Sequence, residues 1–270
     1  MNSTPSIMKN KTALLYFFFV LLFMYGCSGT QYVPKGELLY TGAKVKVVGN
    51  EPSKKERKAL QKELEVLVRP KPNASFLGMR PKLFFYHLAG TPKKEKGIRY
   101  WMKTKLGEAP VLFSKVDLEY NRKVLQNYSE NNGYFNAKSS ADSTRTGKKV
   151  KTNFTVTPKK QYTIRDINFP TDSSSLAEEV RATQKESLLK KGQGYSLETI
   201  KTERERIDTR LKEKGFYYFN PDYLLVQVDS TVANHQVDLI VKVKTDAPFL
   251  SKEQYKINKV VVYPNYSINT

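Results

Sequence analysis

The chain has 270 residues and a formal net charge of +20 at pH 7, because 46 Lys and Arg face only 26 Asp and Glu. This length accommodates one large domain or two to three small ones. A single cysteine, Cys27, excludes an intramolecular disulfide. Only two histidines are present, His87 and His235, whereas a zinc site takes three or four His and Cys ligands. We therefore expect no metal ion.

The amino terminus has the pattern of an export signal. Lys9 and Lys11 precede an apolar run over residues 13–24, which is shorter than the roughly 20 residues of a membrane-spanning helix. The dipeptide Gly26-Cys27 resembles the lipobox of bacterial lipoproteins, in which cleavage before the cysteine is followed by attachment of diacylglycerol to its sulfur. That lipid is the only covalent cofactor we expect. An ordinary signal peptide with an incidental cysteine and an uncleaved signal anchor are the alternatives.

Export also bears on the meaning of the positive charge. So basic a chain permits nucleic-acid binding, but an exported protein rarely meets nucleic acid. The lysines are also spread along the chain instead of being grouped in one arm. The charge therefore favours anionic lipid headgroups or acidic partners.

Two segments repeat each other without a gap at an offset of 82: "FSKVDLEYNRKVLQNYSENNGYF" and "YSLETIKTERERIDTRLKEKGFY". Ser114 and Ser196 are each predicted to cap a helix. The aromatic residue before each serine is predicted to pack on the fourth residue after that serine. Gly133 and Gly215 are placed to end these helices in the left-handed conformation. Each copy therefore predicts a capped helix of about 18 residues.

Strands and a further helix surround each copy. Alternating apolar residues predict strands over 43–49 and 162–169, and a hairpin after each glycine. First helices are predicted near Ser53–Val68 and Ser175–Leu189. The order strand, helix, helix, strand, strand thus occurs twice. Because two helices on one face of a three-stranded sheet form a minimal layered core, we predict this α+β fold for both halves.

These repeats predict the domain boundaries. A third copy begins at Tyr255, where "YKINKVVVYPNYS" repeats the shape of "YTIRDINFPTDSS" and then stops. We therefore expect the chain to be the front of a longer protein or a truncated gene. The predicted segments are a signal peptide (1–26), an anchor linker (27–42), a first domain (43–160), a second domain (161–248) and the start of a third (249–270).

The β-α-α-β-β repeat, with "NNGYF" or "EKGFYYF" after its second helix, resembles the POTRA (polypeptide-transport-associated) domains of the BamA/TamA outer-membrane assembly family. The lipobox-like cysteine, the strand "YTGAKVKVVG" and the insertion "PKPNASFLGMRPKLFFYHLAG" are similar to its lipoprotein branch of Bacteroidetes, TamL. The resemblance implies periplasmic domains that precede a C-terminal β-barrel, which we do not find in this sequence. It also implies unfolded outer-membrane or secreted proteins, or a TamB-like periplasm-spanning protein, as partners.

Residues 69–106 form an insertion that a minimal repeat does not need. Its basic and aromatic residues are interleaved, which suits a membrane interface or a partner groove. The alternative is an insertion that packs its aromatic side chains on its own repeat. The candidate partner-binding residues are Phe84, Phe85, Tyr86, Tyr100, Trp101 and Lys103.

Sheet edges are the second candidate site, because unpaired N–H and C=O groups accept an incoming strand. The candidate strands are 43–49, 162–169 and 217–228. Residues 203–206, Glu-Arg-Glu-Arg, are interpreted as a solvated helical face.

The predicted function is a docking scaffold without catalysis, which serves the assembly or translocation of outer-membrane proteins. A lipid on Cys27 is expected to hold it at the periplasmic face of the outer membrane. A cell-envelope lipoprotein with hydrolase activity and one with a purely structural role are the alternatives.

Overall fold

The computed structural model describes residue 30 and residues 33–264. These residues form two compact units: the described residues up to 127 with 138–157, and 128–137 with the described residues from 158 onward. In chain order the regular elements are β1 (Leu39–Val47), α1 (Lys54–Leu67), α2 (Pro81–Leu88), α3 (Ile98–Trp101), α4 (Leu118–Asn131), β2 (Lys138–Thr146), β3 (Lys149–Thr157), β4 (Thr163–Asn168), α5 (Ser175–Ala182), α6 (Leu197–Glu213), β5 (Leu224–Asp229) and β6 (Gln236–Val243).

The first unit contains a three-stranded sheet in the order β1-β3-β2. β1 runs parallel to the central strand β3, and β2 runs antiparallel to it. Val150, Phe154 and Val156 of β3 are buried, as the alternation of side chains along a half-buried strand requires. Leu64 of α1 and Leu125 of α4 are also fully buried. The apolar stripes of sheet and helices thus face the interior.

The first helix of this unit begins where the sequence predicts. Ser53 Oγ accepts a hydrogen bond from the Glu56 N–H at 3.2 Å, and the Glu56 carboxylate accepts one from the Ser53 N–H at 2.6 Å. This reciprocal capping box satisfies two of the N–H groups that a helix start leaves without intrahelical partners.

The predicted cap at Ser114 is wrong. Phe113–Lys115 forms a 3-10 turn, and α4 begins later, where the Asp117 carboxylate accepts from the Tyr120 N–H at 2.8 Å. The Phe113 N–H donates to the Leu38 carbonyl at 2.8 Å, so this part of the chain runs beside β1, and Asp117 provides an alternative N-cap three residues after Ser114.

The second unit repeats the topology, with strand order β4-β6-β5, a parallel β4–β6 pair and an antiparallel β5–β6 pair. Val241 of β6 packs in one apolar cluster with Val180 of α5 and with Ile207 and Leu211 of α6. The predicted α+β fold with two three-stranded sheets is therefore confirmed.

In the second unit the predicted helix cap at Ser196 is confirmed, and the predicted length of the first helix is wrong. Ser196 Oγ accepts from the Thr199 N–H at 3.3 Å, and Tyr195 and Ile200 share an apolar cluster, as predicted. α5 ends at Ala182 and continues only as a 3-10 turn over Thr183–Glu186, so it stops short of the predicted end at Leu189.

Both glycines that follow the long helices have the predicted left-handed conformation, with φ of +83° at Gly133 and +96° at Gly215. Each glycine carbonyl accepts the N–H of a later tyrosine, Tyr162 at 2.9 Å and Tyr255 at 2.8 Å. A Cβ added at Gly215 would lie 2.5 Å from the Tyr255 carbonyl oxygen. Close backbone approach therefore requires glycine at Gly215, in addition to the positive φ.

The interpretation of residues 203–206 as a solvated face is wrong for Glu203, which has no exposed surface. Its carboxylate accepts from Arg206 Nε and Nη2, both at 2.8 Å, and from the Leu188 N–H at 3.0 Å. Glu203 lies three residues after Ile200 and four before Ile207, which is the spacing of a single helical face. Its position on the buried stripe therefore overrides its polarity.

Residues 253–264 contain no helix or strand. Within residues 33–264 no strand pairs with them, so the third domain predicted over 249–270 stays a prediction, and residues 265–270 lie outside the described part. The exposed large apolar residues of this segment are Tyr255, Ile257, Val260, Val261, Val262 and Tyr263.

Candidate partner-binding surfaces

Each sheet has two edge strands, β1 and β2 in the first unit and β4 and β5 in the second. The three edges predicted from the sequence correspond to β1, β4 and β5, and β2 is a further edge. What distinguishes them is whether their outward N–H and C=O groups already have partners.

The first half of β1 is paired on its outer side. The Tyr40 N–H donates to the Val111 carbonyl at 2.9 Å, and Leu39 and Leu112 form an isolated antiparallel bridge. Beyond an irregularity after Tyr40, Val48 donates inward to Val156 of β3 at 2.9 Å. The alternation of a parallel strand then directs the main-chain groups of residues 45 and 47 outward.

The first half of β4 is closed in the same way. The Tyr195 N–H donates to the Tyr162 carbonyl and the Ile164 N–H to the Gln193 carbonyl, both at 2.8 Å. The chain that precedes α6 therefore lies along β4 as the chain that precedes α4 lies along β1.

An ion pair occupies the outer edge of the second half of β4. The Ile167 N–H donates to the Asp166 carboxylate at 2.9 Å, and Lys191 Nζ lies 2.6 Å from the same carboxylate oxygen. The hydrogen bond from Lys191, and next the Ile167 N–H, lower the pKa of Asp166. A charged carboxylate that occupies an edge N–H disfavours the docking of another strand.

β5 has an open edge. The Lys244 N–H donates to the Tyr223 carbonyl at 2.8 Å and continues the register in which Leu225 faces Lys242. Because alternate residues of an antiparallel strand bond to the same neighbour, Val226 and Val228 direct their N–H and C=O groups away from β6. In the part of the chain that the structure describes, these outward groups have no hydrogen-bond partner.

Two buried asparagines fasten the ends of the insertion. Asn121 Oδ1 accepts from the Arg69 N–H at 2.8 Å, and its Nδ2 donates to the Arg69 carbonyl at 2.7 Å. Asn73 Nδ2 donates to the Ala109 carbonyl at 2.7 Å, and its Oδ1 accepts from the Val111 N–H at 2.8 Å. Neither residue can be identified from the sequence, because their partners lie 36 to 52 positions away and no local pattern marks them.

Inside the insertion, α2 packs on a π-helical turn, Met102–Leu106, that continues α3. Lys103 Nζ donates to the Gly90 carbonyl at 2.8 Å and lies 4.7 Å from the centre of the Tyr86 ring. A Cβ at Gly107 would approach the Tyr86 Cα to 2.8 Å, so the two backbones are in close contact. The structure thus brings Tyr86 and Lys103 together, in contacts that are internal to the insertion.

The other four candidate residues differ in exposure. The Phe84 and Phe85 rings contact each other edge to face at 5.7 Å, and both are half-buried, as is Tyr100. Trp101 is 53% exposed. The insertion therefore packs part of its aromatic surface on itself and presents another part to solvent, and its role in partner binding stays a prediction.

The two histidines lie against tyrosines. The His87 ring lies 5.4 Å from the Tyr86 ring, and the ring of His235, in the hairpin turn, lies 5.3 Å from the Tyr162 ring. Burial, and secondly the positive charge of Lys103, lower the pKa of His87 from its ordinary value of 6.5. The neutral imidazole is therefore favoured in the folded protein.

The predicted lipidation site, Cys27, lies outside the described residues, as does the signal that precedes it. Of the helices in the described part, none has both the length and the apolar character needed to cross a bilayer.

No protein-family model matches the chain, and no curated protein sequence matches it. Among solved structures, it is similar to POTRA domains 3–5 of Haemophilus influenzae BamA, at 16% identity and a TM-score of 0.41 over 78% of this chain and 68% of that one. It is also similar to the N-terminal domain of Omp85 from Thermosynechococcus elongatus, at 13% identity and a TM-score of 0.34 over 77% and 63% of the two chains. The periplasmic POTRA1–3 of Omp85 from Anabaena match at 13% identity and a TM-score of 0.35, over 77% and 62%. The chain thus spans less than two thirds of each of these two Omp85 structures.

Proposed function

We propose that this chain is a POTRA-type docking scaffold in the periplasm, which binds extended segments of unfolded outer-membrane or secreted proteins during their assembly or translocation. The repeated order β-α-α-β-β, with the same strand order in both sheets, supports this class. The resemblance of the insertion and of the segment around Cys27 to TamL is the reason why we extend the proposal to that lipoprotein branch and to a TamB-like partner. In a longer protein, a C-terminal β-barrel would follow these domains.

The observation that carries the proposal is the open edge of β5. The outward main-chain groups of Val226 and Val228 match the hydrogen-bonding pattern of any extended peptide, whatever its side chains. Leu225, between them, is 45% exposed and offers an apolar contact on the solvent face. Main-chain recognition of this kind suits a scaffold that must accept clients of many sequences.

The test uses a synthetic peptide of about ten alternating apolar and polar residues, which is the length of one outer-membrane strand. A second peptide has the same sequence with every other backbone nitrogen methylated, so that one edge loses its N–H donors. We expect the unmethylated peptide to bind and to protect the amides of Val226 and Val228 from hydrogen exchange. The methylated peptide should bind at least about tenfold more weakly, because each lost hydrogen bond contributes about 1 kcal/mol.

Matched variants locate the site. Val226→Pro removes one outward donor, and proline is tolerated at such a position of an edge strand. Leu225→Ser changes the neighbouring side chain and keeps every main-chain group. Binding should be lost in Val226→Pro and only slightly weakened in Leu225→Ser, which removes an apolar contact but no main-chain group, with circular dichroism confirming that both variants fold. Equal binding of the two peptides, or unchanged binding by a folded Val226→Pro, would contradict the proposal.

A further inference from the structure

The insertion presents large apolar side chains to solvent at two places. The first is a tight turn, in which the Phe76 and Met79 main chains exchange two hydrogen bonds of 2.9 Å and Leu77 and Gly78 both have positive φ. Phe76 is 67% and Leu77 73% exposed at its apex. Such turns ordinarily carry polar residues, so their fold alone does not explain these two side chains.

The second place is α3. Ile98 is 77% and Trp101 53% exposed. The two residues are three positions apart and therefore lie on the same side of the helix. Trp101 is the only tryptophan of the chain. Tryptophan is enriched where a protein surface meets the headgroup layer of a membrane, because its ring is apolar and its N–H is polar.

The charged residues around these apolar groups are almost all positive. Residues 69–106 contain ten Lys and Arg and a single acidic residue, Glu95. Arg80 is buried and Lys103 is bonded internally, but Lys94, Lys96 and Arg99 beside the α3 surface are exposed. Within residues 33–264 none of these three forms a salt bridge. Their charge is thus available to a partner.

From this arrangement we propose that the insertion docks on the surface of an anionic phospholipid bilayer, with Ile98 and Trp101 in the headgroup layer and Lys94, Lys96 and Arg99 on lipid phosphates. The occupant is a bilayer because projecting apolar side chains and unpaired cations together match a surface that is apolar inside and anionic outside. The asparagine bonds at both ends of the insertion hold it on the first unit. This contact is separate from strand binding at β5 and does not depend on it.

Trp101 makes the proposal directly measurable. The full chain is mixed with vesicles of phosphatidylcholine containing phosphatidylglycerol, or of phosphatidylcholine alone. With the anionic vesicles we expect Trp101 emission to shift to shorter wavelength and to be quenched by brominated lipid, and both effects to decrease with added salt. Because the signal comes from Trp101, attachment of the protein through its amino terminus does not produce it.

Matched charge variants test the site. Lys94→Glu, Lys96→Glu and Arg99→Glu together should weaken the Trp101 response to anionic vesicles by about a hundredfold or more, since each basic residue near such a surface contributes about fivefold. Lys54→Glu, Lys55→Glu and Lys58→Glu, on the exposed side of α1, make the same change in net charge and should preserve most of the response.

Three results would overturn the proposal. Vesicle binding without a change in Trp101 emission would place the contact elsewhere. An equal loss of the response in both triple variants would reduce it to net charge. A response of Trp101 to an acidic polypeptide such as polyglutamate, and not to vesicles, would identify a protein partner.

Discussion

Glu203 and Arg206 form an ion pair in the second unit, in which the carboxylate side chain has no exposed surface and the guanidinium is 17% exposed. Glu203 also accepts from the Leu188 N–H, which fixes the chain just after the 3-10 turn that ends α5. A residue that looks like part of a charged surface helix therefore joins two segments of the second unit.

Removing this carboxylate should be strongly destabilising. We expect Glu203→Ala to lower the free energy of unfolding by about 3–5 kcal/mol, because it removes the carboxylate nearest to the largely buried guanidinium of Arg206 and leaves Glu186 at 3.9 Å as the remaining acidic neighbour. Glu205→Ala, two residues away and exposed, should change it by less than about 0.5 kcal/mol. Urea unfolding followed by circular dichroism measures both, and a similar small cost for the two variants would contradict the role of Glu203.

His87 gives the insertion a predicted pH response. Because its pKa in the folded protein is lowered below 6.5, the neutral ring contributes stability that is present above about pH 6.5. This contribution is lost as the pH falls through the folded pKa. An NMR titration of the His87 ring should give a midpoint below 6.5, and Lys103→Gln should raise the midpoint by removing a nearby positive charge. A midpoint above 6.5 in the native protein would show that the burial argument is wrong.

The two repeats cover the outer edge of their first strand in the same way. In each, the chain before the long helix pairs with the outer side of the first strand, with Phe113 and Tyr195 at equivalent positions. Ser196 then caps its helix, whereas in the first unit Asp117, three residues after Ser114, takes that role. Among the described residues β5 has no comparable cover, and unlike β2, whose residues are mostly polar, it presents an exposed apolar side chain, Leu225. We therefore assign this edge to clients.

The insertion should depend on its asparagine bonds. Asn73→Ala removes two buried hydrogen bonds, to Ala109 and Val111, and leaves main-chain groups without partners, at a cost of about 1–3 kcal/mol. We expect hydrogen exchange over residues 81–106 to become about tenfold faster or more. In the control, Asn153→Ala removes only exposed bonds to Asp142 and Thr144 and should leave that exchange unchanged. Equal protection in both variants would mean that Asn73 does not hold the insertion.

The net charge of +20 comes from basic residues that are spread along the full chain. The insertion concentrates part of it, with ten basic residues and one acidic residue. If the chain is anchored by a lipid on Cys27, a second contact through the insertion would restrict how the protein is oriented on the membrane. A protein held at two points can rotate less freely than one held at a single point.

Lipidation can be tested through the uniqueness of Cys27. A thioether at this position leaves the protein without any thiol, so denatured protein extracted from native membranes should not react with maleimide. Its mass should correspond to cleavage before Cys27 plus the attached lipid, and Cys27→Ala should lack that lipid mass. A native protein that reacts with maleimide in a one-to-one ratio would contradict the prediction.

Local signals in the sequence determined much of the secondary structure of this protein. The capping residues Ser53 and Ser196, the left-handed glycines Gly133 and Gly215, and the alternation along β3 and β6 act over a few residues, so their effects can be read from their neighbours. The repeat at an offset of 82 extended these signals to the α+β fold of both units.

Which polar residues are buried and which edges are open depends on contacts between distant parts of the folded chain. Glu203, Asn73 and Asn121 are buried because partners distant in sequence satisfy them, and sequence distance hides such partners. The closed first halves of β1 and β4 and the open edge of β5 likewise depend on hydrogen bonds between separate segments. Main-chain groups are the same in every residue except proline, so whether one of them is free to bind a client is a property of the folded chain.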